Sequence, residues 1–455
     1  MYLRRFLTLL QNNMDRYTVN TPKNYNREKL INVRVPGSKS ITNRALLLAA
    51  LSDGECHLTG CQFSDDSLHF LDCLKKLGFS VVTDEINLTV TITGNGGSVK
   101  AEEALINVGS AGTAARFIVA MLGLTSGTFT VESSEQMKKR PMEPLITALR
   151  NAGAKITCLE EENHFPLTIC GVSDPESIPD VIKVNIDKSS QFLSALLIAA
   201  AAIKKAIDVE VTGSHGLAYV DMTVAMAKDF GVEIKKEEQG DKIVYHVPGD
   251  TVLKACDYKI EPDVSAAAYF YGAAALLGNP FVVEGVKRKS LQGDIQILDV
   301  LKKMGCSITE DETQVMVSGP ASYQLKGGFE IDMSTFSDQA LTVAVLSAYA
   351  DAPVLITGIG HIRLQESDRI AAIVENLENL GVKTESGKDF VKILPDESKM
   401  HGGKIKTFDD HRVAMSFSMA GLRTEGVEIL DPLCCRKTFK EYFTVFDNVL
   451  GKIRG

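Results

Sequence analysis

A pattern that recurs roughly every 75 residues limits the possible folds of this chain more than any other feature. In each copy, a segment with helical periodicity ends in an apolar residue and a glycine, and a strand-like run follows. The five glycines are Gly78, Gly153, Gly231, Gly305 and Gly381. Glycine in this place is typical of a helix end in the left-handed conformation. The segment TFKEYFTVFDNVLG, near the C-terminus, is predicted to be the surface helix of a sixth copy.

Each copy also contains an earlier helical segment that is apolar on every side and rich in small residues. These segments are NRALLLAAL from Asn43, TAARFIVAML from Thr113, QFLSALLIAAAA from Gln191, SAAAYFYGAAALLG from Ser265, QALTVAVLSAYA from Gln339 and HRVAMSFSMAGL from His411. A helix that is apolar all round is predicted to be buried. The six copies therefore predict an α/β (α+β) fold with two similar domains, each made of three helix–strand units around buried helices.

The charge balance and the cysteines exclude several classes of protein. The 49 Lys and Arg against 58 Asp and Glu give a net charge of −9, which disfavours a nucleic-acid binder. The nine cysteines are dispersed without a CxxC pair, so we expect free thiols in a reducing cytoplasm. No segment reaches the ~20 apolar residues of a membrane span. The first ten residues, MYLRRFLTLL, have too short an apolar run for a signal peptide and are expected to form a tail.

Polar and often basic residues precede every buried helix. These stretches are GSKSITNR (37–44), GSAGTAAR (109–116), DKSSQ (187–191), EPDVS (261–265), TFSDQ (335–339) and FDDHR (408–412). Helix capping explains the Ser, Thr and Asp residues. It does not explain Lys39, Arg44, Arg116 and Arg412, because a cation near a helix N-terminus opposes the helix dipole. Converging helix starts with added cations predict a ligand that carries phosphate and carboxylate groups.

Other interpretations of the charged motifs are weaker or remain open. GSKS lacks the GxxxxGK[ST] spacing of a nucleotide phosphate loop, and no GxGxxG is placed as a dinucleotide loop requires. The segments MKKRPMEP (137–144), IRLQESDR (362–369) and CCRKTF (434–439) are also densely charged. From the residues alone, these three segments are equally consistent with solvated surface and with the anion site.

Taken together, the motifs resemble those of the 5-enolpyruvylshikimate-3-phosphate synthase (3-phosphoshikimate 1-carboxyvinyltransferase) family. The matching motifs, in order, are VPGSKSITNRALLLAAL, SAGTAARF, KRPMEPL, SSQFLSALL, SDQALT, QESDRI, FDDHRVAMSFS and DPLCCRKTF. The resemblance runs from about Val33 to the C-terminus. It implies two three-repeat domains of the inside-out α/β barrel type, residues 37–260 and residues 1–36 plus 261–455, with the active site in the cleft between them.

The resemblance also implies a reaction. Such enzymes transfer the enolpyruvyl group of phosphoenolpyruvate to the 5-hydroxyl of shikimate 3-phosphate and release phosphate, without a metal or an organic cofactor. Asp338 matches the proton acceptor of the family, and Glu366 and Lys39 match its candidates for proton transfer. The resemblance leads us to expect a cytoplasmic monomer that acts on these two small molecules and binds neither nucleic acid nor membrane.

The binding residues carried over by motif fall into two sets. Those expected to contact shikimate 3-phosphate are Lys39, Ser40, Arg44, Ser189, Ser190, Gln191, Tyr219 and Asp338. Those expected to contact phosphoenolpyruvate are Lys39, Gly112, Arg140, Gln191, Arg369, Arg412 and Lys437. The arginines suit this ligand because a guanidinium binds carboxylate and phosphate in a bidentate manner.

The chain departs from the family pattern at a few positions. Gln365 stands where the family usually has a Lys that contacts the reacting hydroxyl, so a hydrogen bond remains while a charge is lost. Ser110 and His361 stand where Asn is frequent, and a family Ser near Tyr219 aligns with either Ser214 or Gly216. These departures lie on the shikimate side of the expected site.

Two other functions are compatible with the same features. The sister enzyme transfers enolpyruvyl to UDP-N-acetylglucosamine, but it usually carries a reactive Cys in a loop that corresponds to residues 131–140, where this chain has none. A non-catalytic, anion-binding homologue is the second alternative, with Gln365 as the sign of lost activity. The synthase is favoured because Lys39, Asp338 and Glu366 are all present, as are the arginines and Lys437.

Overall fold

The computed structural model describes residues 15–213, 215–240 and 242–454. The chain forms two compact units. One unit is Gly37–Glu261, and the other joins Pro262–Gly455 to the segment that ends at Pro36. The predicted tail MYLRRFLTLL and Ser214 lie outside the described residues.

Three helices form the centre of the unit 37–261, and each was predicted as a buried helix. They are Lys39–Leu51, Gly112–Gly123 and Gln191–Ala201. Only the first one or two residues of the first and third helices are partly exposed. The middle helix packs against both of the others, which is why it is apolar on every side. The outer helices Asp65–Lys76, Glu143–Asn151 and Leu217–Asp229 bury one face, and the short helix Glu135–Lys138 precedes the second of them.

Three four-stranded sheets complete this unit, each with one parallel pair and one antiparallel hairpin. In spatial order, the strands of the first sheet are Tyr258–Lys259, Glu55–Thr59, Thr89–Thr93 and Ser80–Asp84. Those of the second sheet are Glu103–Asn107, Thr128–Glu132, Leu167–Cys170 and Lys155–Cys158. Those of the third sheet are Val181–Asn185, Ile207–Thr212, Lys242–Val247 and Lys235–Gln239. In the second and third sheets, a buried helix connects the two parallel strands. In the first sheet, the end of the unit returns as Tyr258–Lys259, which completes that repeat.

The other unit has the same plan. Its buried helices are Val264–Leu277, Ala340–Ser347 and His411–Ser418, and its outer helices are Ile297–Lys303, Arg369–Asn379 and Tyr442–Arg454. Short 3-10 turns include Gly293–Gln296, Ser337–Gln339, Gly360–Leu364, Met419–Leu422 and Pro432–Lys437. The six buried helices and the final helix predicted from the sequence are therefore confirmed.

The sheets of this unit repeat the pattern of a parallel pair with antiparallel neighbours. In spatial order, one sheet has the strands Ser307–Glu310, Val315–Ser318, Pro280–Val283 and Ile31–Val33. A second has Phe329–Asp332, Val354–Thr357, Val391–Leu394 and Lys383–Ser386. A third, with three strands, has Arg16–Thr18, Glu428–Leu430 and Lys404–Ile405. The N-terminal segment thus supplies Ile31–Val33 as an edge strand, paired in parallel with Pro280–Val283.

The repeat glycines end the outer helices as predicted. All five have positive φ angles, from 83° at Gly381 to 106° at Gly153. Side chains with a Cβ rarely adopt such angles, so glycine lets each helix stop and turn into the next strand. All nine cysteines are free thiols. Among the described residues, no helix is long and apolar enough to cross a membrane.

Candidate functional site

The first turns of the three buried helices in the unit 37–261 are connected by two buried arginines. Nη2 of Arg44, in the first helix, donates a hydrogen bond to Oγ of Ser194, in the third helix, at 3.3 Å. Arg116, in the second helix, donates from Nη1 to Oε1 of Gln191 at 3.2 Å. The polar stretches that precede these helices are thus brought together within the unit, as the sequence predicted.

Arg44 is almost completely buried and binds neutral oxygens of the protein. Its Nε donates to Thr223 Oγ1 at 2.7 Å, and Nη2 also donates to the Tyr219 carbonyl at 2.9 Å. The Nη1 group donates to the Ser40 carbonyl at 2.9 Å. Burial lowers the pKa of Arg44 to about 10, which leaves the guanidinium charged at neutral pH. Arg44 therefore places a buried positive charge beside Ser40 and Tyr219.

Arg116 ties the start of its own helix to the segment that carries Arg140. Its Nη1 donates to the Gly112 carbonyl, and its Nη2 to the Pro141 carbonyl, both at 3.0 Å. Arg140 is buried, and its guanidinium lies so close to Gly112 that a Cβ on this glycine would clash with it. A larger residue at position 112 would force this guanidinium to shift. Arg116 was not among the predicted binding residues, although the sequence had marked it as an unexplained cation.

Lys39 begins the first buried helix, directly after the cap Ser38, whose Oγ accepts a hydrogen bond from the backbone N–H of Ile41. The Nζ of Lys39 lies 3.6 Å from Oδ2 of Asp66, and both side chains are largely buried. Asp66, in the first turn of the next helix, is thus a protein partner for this lysine. Sequence reasoning missed Asp66, and an acidic residue at a helix start gave no signal beyond a favourable helix dipole.

Ser189, Ser190 and Gln191 form the start of the third buried helix. Ser189 Oγ accepts a hydrogen bond from the backbone N–H of Gln191 at 3.2 Å, and both serines are buried. Gly216, with a φ of 64°, passes close to the Ser190 hydroxyl and leads into the helix that carries Tyr219. The unit therefore brings hydroxyl, amide and phenol groups near the Arg44 charge.

The other unit collects opposite charges around Arg369. Asp368 caps the helix Arg369–Asn379 by accepting from Ala371 N at 3.0 Å, which fixes Arg369 as its first residue. The Arg369 guanidinium then binds three carboxylates: Asp410 through Nε at 2.9 Å, Asp338 through Nη1 at 3.0 Å and Glu366 through Nη2 at 2.8 Å. Burial lowers the pKa of Arg369, but these carboxylates outweigh it and hold the pKa above its ordinary value.

Two further cations contact the same carboxylates. Arg412 Nη2 binds Asp338 Oδ2 at 2.7 Å, and Lys437 Nζ lies 3.6 Å from Glu366 Oε1. Asp338 does not cap the helix Ala340–Ser347; its carboxylate bridges Arg369 and Arg412 instead. The unit therefore gathers the five residues that the sequence predicted on this side of the site.

Asp410 completes the cluster and was not predicted to have a role. It caps the helix His411–Ser418 by accepting from Arg412 N at 2.9 Å, and it accepts from Ser367 Oγ at 3.0 Å. Its side chain is fully buried. The motif FDDHR did signal a helix cap, but nothing in it indicated which aspartate would pair with an arginine 41 positions earlier in the chain.

The carboxylates revise one part of the sequence argument. Lys39 and Arg412 were expected to need an anionic ligand, yet each has a protein carboxylate within ion-pair distance, Asp66 and Asp338 respectively. Arg44 binds the neutral oxygens described above. A ligand anion would therefore join or displace protein partners rather than meet bare cations.

The positions that depart from the family pattern have structural partners. Ser110 Oγ lies 2.7 Å from Ser134 Oγ, and His361 Nε2 lies 2.7 Å from Ser337 Oγ, next to Asp338. Gln365 is half-buried and ends the turn Gly360–Leu364, directly before Glu366. Among the described residues, no group of three or more His, Cys, Asp or Glu side chains is arranged to hold a metal ion.

Comparisons with known proteins identify the family of the chain. A family model described as EPSP synthase (3-phosphoshikimate 1-carboxyvinyltransferase) matches residues 29–446. A 3-phosphoshikimate 1-carboxyvinyltransferase of Trichormus variabilis is 39% identical over 94% of this chain and 98% of its own length. A protein of Halalkalibacterium halodurans named 3-phosphoshikimate 1-carboxyvinyltransferase 2 is 38% identical over 92% of this chain and 91% of its own.

Solved structures show the same architecture. The structure of an EPSP synthase from Acinetobacter baumannii matches with a TM-score of 0.79 and 26% identity, covering 95% of this chain and 98% of that one. The enolpyruvyl transferase NikO from Streptomyces tendae matches with a TM-score of 0.70 over 96% of both chains, and at 16% identity it supports the fold alone. The α/β fold of repeated helix–strand units is therefore shared with enolpyruvyl transferases.

Proposed function

Because the chain belongs to the EPSP synthase (3-phosphoshikimate 1-carboxyvinyltransferase) family, we propose that it transfers the enolpyruvyl group of phosphoenolpyruvate to the 5-hydroxyl of shikimate 3-phosphate. The products are 5-enolpyruvylshikimate 3-phosphate and inorganic phosphate. The first is an intermediate of the shikimate pathway to chorismate. The observation that carries the proposal is the cluster in which Arg369 joins Asp338, Glu366 and Asp410. It supplies both anion-binding guanidinium groups and acid–base carboxylates.

The unit 37–261 is proposed to hold the shikimate phosphate. Its buried Arg44 charge and the hydroxyls at the start of the third buried helix suit a sugar-like ring with a phosphate. The residues assigned to this substrate are Lys39, Ser40, Arg44, Ser189, Ser190, Gln191 and Tyr219, together with Asp338 of the other unit. Gly112 and Arg140 of this unit are assigned to phosphoenolpyruvate, and Lys39 and Gln191 are assigned to both substrates.

Arg369, Arg412 and Lys437 are proposed to bind phosphoenolpyruvate. Arg412 pairs with Asp338 and Lys437 lies near Glu366, so both cations lie beside the proposed acid–base carboxylates. A guanidinium and an ammonium group suit the carboxylate and phosphate of this ligand. Arg369 is held by three carboxylates, which fixes its orientation before any substrate arrives. Such preorganisation lowers the cost of ordering charged groups when the substrate binds.

Asp338 is proposed to accept the proton of the 5-hydroxyl as the new C–O bond to phosphoenolpyruvate forms. Its carboxylate is 24% exposed, whereas that of Asp410 is fully buried, so Asp338 is the one of the two that remains open to a substrate. Glu366 and Lys39 are proposed to move the proton that the methylene carbon gains during addition and loses during elimination. Loss of phosphate and of that proton from the resulting intermediate then re-forms the C=C double bond and yields the enol ether.

The two units supply different residues to the same pair of substrates, so we propose that both must engage them for turnover. We place the boundaries near residues 37 and 261, and expect closure on the anions to exclude water from the reacting groups. We also propose that the enzyme acts in the cytoplasm and that it is a monomer. Sedimentation of the purified chain tests the oligomeric state directly.

A phosphate-release assay with two acceptors tests the function. Phosphoenolpyruvate is supplied with shikimate 3-phosphate or with UDP-N-acetylglucosamine, and the product is identified by mass spectrometry. We expect phosphate release with shikimate 3-phosphate alone, and its loss in the Asp338→Asn variant. Release only with UDP-N-acetylglucosamine would assign the chain to the sister reaction. Tight calorimetric binding of shikimate 3-phosphate without any turnover would identify a non-catalytic homologue.

A further inference from the structure

Asp294 is a buried carboxyl group to which the proposed reaction gives no role. It belongs to the turn Gly293–Gln296, and only 3% of the residue is exposed. This turn packs against the buried helix Val264–Leu277 and against the turn Ser337–Gln339, which carries Asp338. The fold therefore places a second carboxyl group close to the proposed proton acceptor.

Hydrogen bonds on both sides hold the Asp294 segment in place. Gln292 accepts from the Val264 N–H at 2.9 Å and donates to the Pro262 carbonyl at 2.8 Å, so its amide clamps the start of the buried helix. Ser265 donates its hydroxyl to Asp294 Oδ2. Gln296 Oε1 accepts a hydrogen bond from Thr335 Oγ1 at 3.3 Å. Thr335 comes two residues before Ser337, where the Asp338 turn begins. The carboxyl group is therefore fixed against both the helix start and the Asp338 turn.

Four groups interact electrostatically with the Asp294 carboxyl. Asp338 and Asp263 are acidic, Arg412 is basic, and Ser265 donates the hydrogen bond. Burial and the Asp338 charge raise the pKa of Asp294 to about 7, although Arg412 and the Ser265 hydrogen bond oppose the rise. Arg412 thus interacts electrostatically with Asp294 and pairs directly with Asp338.

We propose that Asp294 is a positioning residue that acts through Arg412, and that its protonation state sets how strongly the site holds phosphoenolpyruvate. This inference rests on the proposed function. While Asp294 is protonated, the charge of Arg412 is available to Asp338 and to the substrate. Once Asp294 is ionised, a further negative charge lies beside Arg412 and repels the carboxylate and phosphate of phosphoenolpyruvate. The KM for phosphoenolpyruvate rises with pH as a result, whereas kcat changes little.

The pH dependence of KM separates this role from a purely structural one. KM and kcat are measured between about pH 5.5 and about pH 8.5 for the parent enzyme and for Asp294→Asn. The asparagine is neutral throughout and still accepts from Ser265. We expect the parent KM to rise on the order of tenfold, the effect of one unit charge at about 12 Å and an effective dielectric constant near 20, and the variant KM to rise less. Ionisation of the substrate itself affects both enzymes equally.

Two further variants sharpen the comparison. In Ser265→Ala, the lost hydrogen bond no longer stabilises the carboxylate, so the rise in KM moves to higher pH. Asp299→Asn makes the same chemical change at an exposed aspartate that pairs with Arg288 at 2.6 Å, and it keeps the parent profile. Equal rises in KM for the parent and Asp294→Asn, or a flat profile in the parent, would overturn the inference.

Infrared spectroscopy provides a measurement that does not depend on activity. The difference between spectra at low and high pH shows the carbonyl band of a protonated carboxyl group that ionises near neutrality. We expect this band in the parent and its absence in Asp294→Asn. A band that persists in the variant contradicts the assignment to Asp294. A band that behaves as expected in a protein with no transferase activity would instead refute the proposed function.

Discussion

Arg369 and Asp410 form an ion pair in which neither side chain is accessible to solvent. Arg369 Nε lies 2.9 Å from Asp410 Oδ2, and the two side chains are 2% and 0% exposed. Asp410 also caps the helix that carries Arg412. The pair therefore ties the starts of two helices together, each of which presents one of the arginines proposed to bind phosphoenolpyruvate.

Asp410→Asn tests this pair. The amide still caps the helix, but Arg369 loses one carboxylate in a place that water does not reach, so we expect the free energy of unfolding to fall by about 3 kcal/mol. The activity falls with it, because the orientation of Arg369 is no longer fixed. Urea unfolding followed by circular dichroism measures the change. The neighbouring, exposed Asp409→Asn is the matched control, and a similar loss there would show that the buried pair is not the cause.

Gly112→Ala tests the contact between Gly112 and Arg140. The added methyl group would lie too close to the guanidinium groups of Arg140 and Arg116, so that these side chains must shift. We expect the KM for phosphoenolpyruvate to rise about tenfold, the equivalent of ~1.4 kcal/mol of overpacking, with little change in the KM for shikimate 3-phosphate.

Gly123→Ala, at the other end of the same helix, is the control for Gly112→Ala. The three atoms nearest to its methyl group all belong to the side chain of Leu149, so we expect it to change stability rather than KM. Steady-state kinetics with each substrate varied in turn measures both variants. Equal effects of Gly112→Ala on the two KM values would contradict the assignment of Arg140 to phosphoenolpyruvate.

Local patterns were sufficient to predict much of the fold. A helix that contacts neighbours on every side must be apolar all round, so Gly112–Gly123 could be recognised as buried without knowledge of what surrounds it. A helix that ends before a strand often needs a residue that tolerates positive φ, so Gly153 predicted where its helix ends.

The site was only partly predictable, because its charges are set by residues far apart in the sequence. Arg44 could be identified as a cation near a helix start, but its partner Thr223 is 179 residues away. Asp66 and Asp410 give no local sign that they neutralise Lys39 and Arg369. Periodicity predicts which face of an element is buried, whereas the pairing of buried charges depends on the tertiary arrangement of the repeats.

Gln365→Lys tests the departure from the family pattern that concerns the reacting hydroxyl. A lysine replaces a neutral hydrogen bond by a charged one, a difference of about 1 kcal/mol. If residue 365 contacts shikimate 3-phosphate, the KM for this substrate falls about fivefold. The variant Gln365→Leu removes the hydrogen bond and is expected to raise the same KM. Unchanged values in both variants would show that this position does not contact the substrate.

His246 links three strands of a sheet in the unit 37–261. Its Nδ1 lies 2.8 Å from Asp208 Oδ1 and its Nε2 lies 3.1 Å from Glu237 Oε2, each on a neighbouring strand. The hydrogen bond with Asp208 is the main cause that raises the pKa of His246 above its ordinary value of 6.5, and Glu237 adds to it. The folded unit therefore binds this proton more tightly than the unfolded chain does.

The sign of the pH dependence follows from that difference. The stabilisation is complete below about pH 6.5, the pKa in the unfolded chain, and it is lost as the pH rises through the higher pKa of the folded state. His246→Gln has no such proton, so the urea midpoint of the variant should approach that of the parent as the pH rises. Because the site is partly exposed, we expect a difference below about 1 kcal/mol at low pH. Asp208→Asn weakens the same link and should give an intermediate profile. A parent midpoint with the same pH profile as His246→Gln would show that the pairing contributes nothing to stability.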